Sequence, residues 1–529
     1  MSNYNNIIRH FTSTSDNVDE ITKWVFGSLV VFSFLEAAFY PEEENLYGCF
    51  SFIIAWVLLY TFVLSNKGMK RNICLFPYMA LLGLGLSFFW MPLIITFIEG
   101  KPLTFRFQNP YLTFNNQLLN LIMLIAAYRL CLKLYHRKNF LIRLWSKIGY
   151  FTPPTDAQVW AMGFVGLFSY LMMLSIQGTD EARVENLGVI GHVLQMAKMF
   201  TPIPFILLFR SEYGGDKGKD KPKNLLLLYF GLMVVLGIAT GKRTMILGPV
   251  VTIIMCYLLP AITEKKRLFS TKNTILLIIG VYFVTGPVAD LAAAMALGRD
   301  NSRQTSSEKT FENIWKIYQD KEMLHNLWQY TLSRSDNGGD NSSGWSEYYV
   351  DNILLDRFCN IRVCDATLYY ANKLGYDNPR MQDYFYKQVL YQLPTPVLNA
   401  FGVNVNKFAE QYTPGDLIST EGLGLNHQYY GYRVAGDAGI GLYLWGYAYY
   451  FMAFFIYAAL FYFMSSRVRV ITSGLLIFPL LELNNLFRVL FTFNNATGIV
   501  GVVGMLLRQG WQLIVLYCLI YFIIRKIIR

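Results

Sequence analysis

"CLFPYMALLGLGLSFFWMPLIITFI", residues 74–98, runs from Cys74 to Ile98 without a charged side chain. A bilayer core about 30 Å thick is crossed by roughly 20 apolar residues in a helix, so this stretch reads as a membrane span. Comparable runs recur at residues 22–40, 46–65, 116–134, 157–177, 188–209, 224–240, 244–261, 274–296, 440–464, 470–491 and 497–524. With the quoted run they make about twelve candidate spans.

Composition agrees. The 529 residues are 54% apolar, 16% aromatic and only 15% charged. Soluble domains carry about 25% charged residues, so a soluble chain of this length would lack polar surface. The N-terminus "MSNYNNIIRHFTSTSDNVDE" is polar and shows no cleavable signal. The fold class is therefore an all-α polytopic integral membrane protein.

The net charge of +11 is concentrated in alternate loops. Lys67/Lys70/Arg71, Arg137/Lys138/Arg143/Lys147, Lys217/Lys219/Lys221/Lys223, Lys265/Lys266/Arg267, Arg467/Arg469 and the tail Arg525/Lys526/Arg529 all fall on one side. The positive-inside rule makes that side cytoplasmic and puts both termini there. No basic-aromatic nucleic-acid module accompanies the charge, so nucleic acid is not an expected partner. Residues 136–150, "HRKNFLIRLWSKIGY", alternate basic with apolar residues and suit a helix on the inner leaflet.

One connection exceeds the others. Residues 298–439, on the extracytoplasmic side, are too long for a simple link and divide the chain into 1–297, 298–439 and 440–529. Residues 306–332 and 345–375 each read as a loop helix, the second stopped by Gly375, and 378–394 reads as a third. After Pro396 the pattern becomes irregular and rich in Gly and Asn. Cys359 and Cys364, five apart, would point to different faces of a helix and stay free thiols, whereas in a loop they could bridge; free thiols are the favoured expectation. No His/Cys cluster has metal spacing, so neither a metal nor another cofactor is expected.

Two cationic elements carry chemistry. "GIATGKRTMILGPVV", residues 237–251, sets Lys242 and Arg243 in an outer loop with no acidic neighbour. Such a pair either anchors two helix ends at the headgroups or holds an anion, for which the planar guanidinium is suited. "LNHQYYGYRVAGDAG", residues 425–439, brings His427, Arg433 and Asp437 into a lip rich in Gly and Tyr, with Glu421 just before it. Tyr429 and Tyr430 offer ring faces and hydroxyls to sugars.

Ionisable groups within spans add candidates. Lys198 in span six has no obvious acidic partner, and Arg488 lies toward the outer end of span eleven. Glu482 and Arg508 both fall near mid-membrane and are expected to pair with each other.

The multispan topology, Gly241-x-Arg243-Thr244 in a short outer loop, and a large outer loop rejoining the membrane around His427, Arg433, Gly439 and Gly441 resemble the O-antigen polymerase (Wzy) family, whose design the O-antigen ligases share. An Arg-x10-Gly pattern of some members is absent, since Ile254 and Leu444 stand where the Gly would be. The resemblance implies a GT-C-like glycosyltransferase of the bacterial inner membrane, with residues 298–439 periplasmic. Its substrates would be undecaprenyl-pyrophosphate-linked oligosaccharide repeat units, its product a surface polysaccharide, and its partners a flippase and a chain-length regulator.

It further implies metal-independent transfer. Arg243, Arg433 and Lys242 would steady the departing pyrophosphate, joined by Arg488 and Lys198 as substrate contacts. His427 would take the acceptor proton, with Glu421 and Asp437 as alternates. Trp345, Tyr348 and Tyr349 would either bind sugar or pack between loop helices. The competing reading is a lipid-oligosaccharide flippase or other transporter, and an acyltransferase using His427 or His192 is a third.

Overall fold

The computed structural model describes residues 17–66, 69–135, 139–177, 188–216, 222–240, 243–263, 279–280, 282–301, 307–337, 345, 347–403, 412–424, 433–470, 476–491 and 498–528. Among them the protein is almost wholly helical, with strand only at Arg469–Val470 and Leu476–Ile477. In chain order the helices are α1 (Asn17–Phe39), α2 (Glu43–Leu64), α3 (Leu75–Ile98), α4 (Pro110–Leu134), α5 (Phe140–Lys147), α6 (Asp156–Gln177) and α7 (Gly188–Ala197). Then come α8 (Lys223–Ala239), α9 (Arg243–Thr263), α10 (Ala289–Asn301), α11 (Ser307–Gln319), α12 (Lys321–Asn337), α13 (Ile361–Leu374) and α14 (Pro379–Leu390). The last are α15 (Thr395–Ala400), α16 (Pro414–Gly422), α17 (Asp437–Trp445), α18 (Ala448–Ser465), α19 (Leu480–Asn484), α20 (Leu486–Phe491) and α21 (Gly498–Ile527).

Seven of the described helices are long and apolar enough to cross a membrane: α1 from Val18, α2, α3, α4, α6 to Ser175, α18 and α21. The chain is a multi-pass α-helical membrane protein. The apolar helices α8 and α9 are shorter. Span six is bent by 62° between Ile190–Phe200 and Ile203–Tyr213. Pro202 and Pro204 lie at the bend, where each removes a backbone donor and crowds the preceding turn.

The chain divides into two compact units. The first comprises Met1–Tyr135, Tyr330–Ser465 and Arg488–Gly510, the second His136–Gln329, Ser466–Phe487 and Trp511–Arg529.

In the first unit, α4 packs against α2 and α18, and α13 packs against α16 and α17. Asp365 of α13 joins the loop helices to the start of α4. Its carboxylate accepts the N–H groups of Gln108 (2.7 Å) and Asn109 (3.0 Å), the hydroxyl of Thr113 (2.9 Å) and Arg362 Nη1 (3.0 Å). Asp365 has no solvent exposure, and a buried carboxylate is tolerated there because these donors replace water. Gly375, with φ of +92°, ends α13 where the sequence places the stop.

The second unit holds a buried ion pair that corrects an expectation. Glu482 pairs with Arg467, whose Nε and Nη2 reach Glu482 Oε1 at 2.7 and 2.6 Å. Tyr150 donates its hydroxyl to the same oxygen. Arg508, the expected partner, instead donates from Nη1 to the carbonyl of Tyr391 at 3.4 Å. Arg467 does lie in the connection after α18, where the sequence places it, but there it is buried, 4% exposed, rather than facing solvent.

Other expectations change at breaks. Residues 470–491 do not form one helix: the short antiparallel ladder is followed by Pro479, α19, a turn at Asn485 and α20. Pro479, which has no N–H to donate, marks the first break; at the second, Asn484 sends its side-chain amide to the Met199 carbonyl at 2.7 Å. Span ten, expected over 440–464, is cut by Gly446 (φ +55°) into α17 and α18. The loop helix expected over 306–332 is split at Asp320, and the one expected over 345–375 begins as a continuous helix only at Ile361. The segment between Pro396 and span ten, expected to be irregular, contains most of α15 and all of α16 among its described residues. Cys359 and Cys364 are free, buried thiols, as expected.

Candidate functional site

The polar site begins with the fold-back of residues 345–357. Asn352 accepts the N–H groups of Leu354 (3.1 Å) and Leu355 (3.2 Å), starting the short helix Ile353–Asp356. That turn carries the Asp356 carboxylate back to the N–H groups of Tyr349 (2.8 Å) and Val350 (3.4 Å). Trp345, Glu347, Tyr348, Asp356 and Arg357 consequently line one cavity of about 180 Å³.

Arg433 completes this cavity from the far side of the loop sequence. Its backbone is held by the cap of α16: Asp416 Oδ1 accepts the Arg433 N–H (3.1 Å), and the Thr413 hydroxyl donates to the Arg433 carbonyl (2.7 Å). Thr413 and Asp416 form a capping box with Pro414 at the first turn, so local sequence alone fixes this helix start. Gly415 is required for the approach, because a Cβ there would stand 2.4 Å from the Arg433 carbonyl oxygen. The guanidinium is then set by Nη1 donating to the Ser419 hydroxyl at 2.6 Å.

The cavity thus combines two guanidiniums, two carboxyls and two aromatic side chains. Glu347 Oε1 accepts the Val434 N–H at 2.7 Å, tying the carboxyl to the residue after Arg433. Burial pushes the Glu347 carboxyl up from its ordinary value, against the pull of that N–H and of Arg357 and Arg433. Burial also lifts Asp356, to about 6, opposed by the Tyr349 N–H and by Arg357. Cations of this kind can hold phosphate oxygens, and a carboxyl with a raised pKa can exchange a proton near neutrality.

The sequence-derived candidates separate. Arg433 lines this cavity. Glu421 lines a different one, of about 540 Å³, where Arg380 Nη1 lies 2.9 Å from its carboxylate and Tyr443 donates its hydroxyl to it. Asp437, 2% exposed, accepts the hydroxyls of Tyr449 (2.5 Å) and Tyr457 (2.7 Å). Neither Glu421 nor Asp437 belongs to the lining of the Arg433 cavity.

Arg488 lies in α20 of the first unit, also outside that lining. Arg243 is the first residue of α9, and Lys198 opens a 3₁₀ turn, Lys198–Phe200; both belong to the second unit. His427, Tyr429, Tyr430 and Lys242 lie outside the described residues. Of the aromatic candidates, Trp345 and Tyr348 line the cavity. Tyr349 is buried and donates its hydroxyl to the Leu103 carbonyl, which is a packing role.

Sequence reasoning passed over Glu347, Asp356 and Arg357. The signal available was "WSEYYVDNILLDRF", residues 345–358, where acidic and aromatic residues alternate ahead of an arginine. Reading it as one amphipathic helix hid the fold-back that converges these side chains.

Comparison with known proteins gives no match: no family model, no curated protein and no solved structure resembles this chain.

Proposed function

We propose that this chain polymerises lipid-linked oligosaccharide repeat units into a surface polysaccharide, by metal-independent glycosyl transfer at the extracytoplasmic face of a bacterial inner membrane. The observation that carries the reading is the cavity uniting Arg433 and Arg357 with Glu347, Asp356, Trp345 and Tyr348 in a chain with seven span-length helices.

In the proposed step, an acceptor sugar hydroxyl attacks the anomeric carbon of a donor glycan. A carbon–oxygen bond forms, the anomeric bond to undecaprenyl pyrophosphate breaks, and the pyrophosphate leaves with its bonding pair. Arg433 and Arg357 stabilise the charge growing on the leaving oxygen, with Arg243, Lys242, Arg488 and Lys198 as further cationic candidates. Glu347 accepts the acceptor proton from within the cavity, and His427 remains the base proposed from the lip. Trp345 and Tyr348 offer faces to the sugar rings. The reading carries with it a GT-C-like arrangement of about twelve spans, both termini cytoplasmic, and work beside a flippase and a chain-length regulator.

Gene deletion in the native host tests it. The reading expects surface glycans to collapse to single repeats, with rescue by wild type but not by stably expressed Arg433→Ala. Persistence of long chains in a deletion strain lacking any second polymerase overturns it. One observation favours a second reading: the 62° bend in span six is the kind of broken helix found at transporter binding sites. Accumulation of lipid-linked units on the inner leaflet of the deletion strain would select that flippase reading.

A further inference from the structure

A stripe of exposed apolar side chains runs along the end of α14 and onward through α15. Tyr386 is 58% exposed, Leu390 43%, Leu393 41%, Val397 38% and Phe401 76%, at a spacing of three or four residues. Such a stripe facing water would be an unusual liability. Its position within the first unit argues that it does not face water.

The beginning of α14 is tied to the end of α17, just ahead of α18. Asn378 N–H donates to the Tyr443 carbonyl at 2.8 Å, Gln382 Nε2 to the Leu444 carbonyl at 3.3 Å, and Phe385 packs edge-on against Trp445 at 5.0 Å. Its far end meets the span α21. Arg508 Nη1 donates to the Tyr391 carbonyl at 3.4 Å, and a Cβ on Gly504 would stand 3.3 Å from Gln392 Nε2. Gly504 and Arg508 lie roughly 9 and 15 Å along the helix from its start at Gly498. The end of α14 therefore runs beside the span-length helix α21, two to three turns in from its first residue.

The exposed face there is continuous in character with the belt of α18, where Phe451 is 68% and Phe455 52% exposed, and with Tyr447, 61% exposed, just ahead of that helix. On a helix apolar enough to span a membrane, those side chains face lipid. Lys387, paired with Asp383 at 2.7 Å on the same helix, sets beside the stripe a cation of the kind that pairs with lipid headgroups.

We infer that residues 386–401 are a membrane-interfacial element whose Leu390, Leu393, Val397 and Phe401 side chains insert among the acyl chains of the leaflet at that end of the spans. By the charge-based sidedness this is the outer leaflet. The occupant of the stripe is bilayer lipid, and the loop it belongs to is moored to the membrane surface independently of what it catalyses.

Nitroxide labelling of Leu393→Cys and Phe401→Cys in the full-length protein tests this in nanodiscs of phosphatidylethanolamine and phosphatidylglycerol. All seven native cysteines are buried, so the introduced thiols are the accessible ones. Collision with oxygen and with a water-soluble nickel chelate is compared with Phe455→Cys as the lipid-facing standard and Arg380→Cys as the aqueous one. The expected oxygen-to-nickel ratio at both test positions shifts to that of Phe455→Cys. A ratio equal to that of Arg380→Cys overturns the inference, as does protection from both reagents, which would mean that a second copy covers the stripe. Reconstitution in detergent micelles of neutral headgroup gives the same ordering if apolar insertion is what holds the element.

Discussion

The Arg433 guanidinium is oriented by the Ser419 hydroxyl, its Nη1 lying 2.6 Å from Oγ. Ser419 itself has no solvent exposure. Arg433 is thus a half-buried cation whose side chain is directed by the helix whose cap residues hold its backbone.

Removing that hydroxyl should loosen the cation without removing it. Ser419→Ala is expected to cost about 1 kcal/mol of positioning, a roughly fivefold fall in polymerisation rate, with little loss of protein. Ser419→Thr should retain most of the rate. Initial-rate assays on purified variants check this, and an unchanged rate in Ser419→Ala would show that Arg433 needs no such support.

Gly415→Ala is the steric counterpart. The added methyl would meet the Arg433 carbonyl at 2.4 Å, so either the cap of α16 or the Arg433 segment must move. We expect a loss of about 1–3 kcal/mol in stability. Thermal unfolding in detergent measures it, and a wild-type midpoint would mean that the two segments are not in contact.

The Arg467–Glu482 pair makes a prediction about charge burial. Arg467→Met alone leaves the Glu482 carboxylate buried without its cation, and should destabilise by about 3–5 kcal/mol. Combining it with Glu482→Leu removes both charges and should recover most of that loss. A double variant as unstable as the sum of the two single ones would contradict the pairing.

Asp356 should leave a mark on stability against pH. Its folded value is lifted from 3.8 to about 6, so between these values the folded chain holds a proton that the unfolded chain has released. This carboxyl favours folding most below 3.8 and loses that contribution as pH rises through about 6, about 3 kcal/mol in all. Asp356→Asn stays neutral and should flatten that part of the profile. Denaturation midpoints from about pH 4 to about pH 7 test the difference; parallel wild-type and variant curves would exclude it.

The helical, multi-pass character was legible because hydrophobic length is a local property: the run at 74–98 needs no tertiary context to declare a span, and α3 occupies it. The stop at Gly375 and the third loop helix at α14 were equally local. The interruptions at Gly446 and Asn485 were hidden because apolar residues continue across them, and composition does not register a change of backbone direction. Arg433 stood out through its charge in a Gly- and Tyr-rich setting. Its partners in the cavity did not, since Glu347 and Arg357 come from a fold-back some eighty positions earlier, closed by Asp356 and Asn352. Long-range convergence of this kind has no signature in residue spacing.

The central claim is that the Arg433 cavity performs the transfer, and polymerisation by purified protein tests it most directly. Wild type, Arg433→Ala, Arg357→Ala and Glu347→Gln would be reconstituted with lipid-linked repeat units from the native host, and product length resolved on a gel. The account predicts a ladder of repeats with wild type, and none with Arg433→Ala or Glu347→Gln at equal folded protein. Ladders of wild-type length from those two variants would contradict it and move the chemistry elsewhere in the chain.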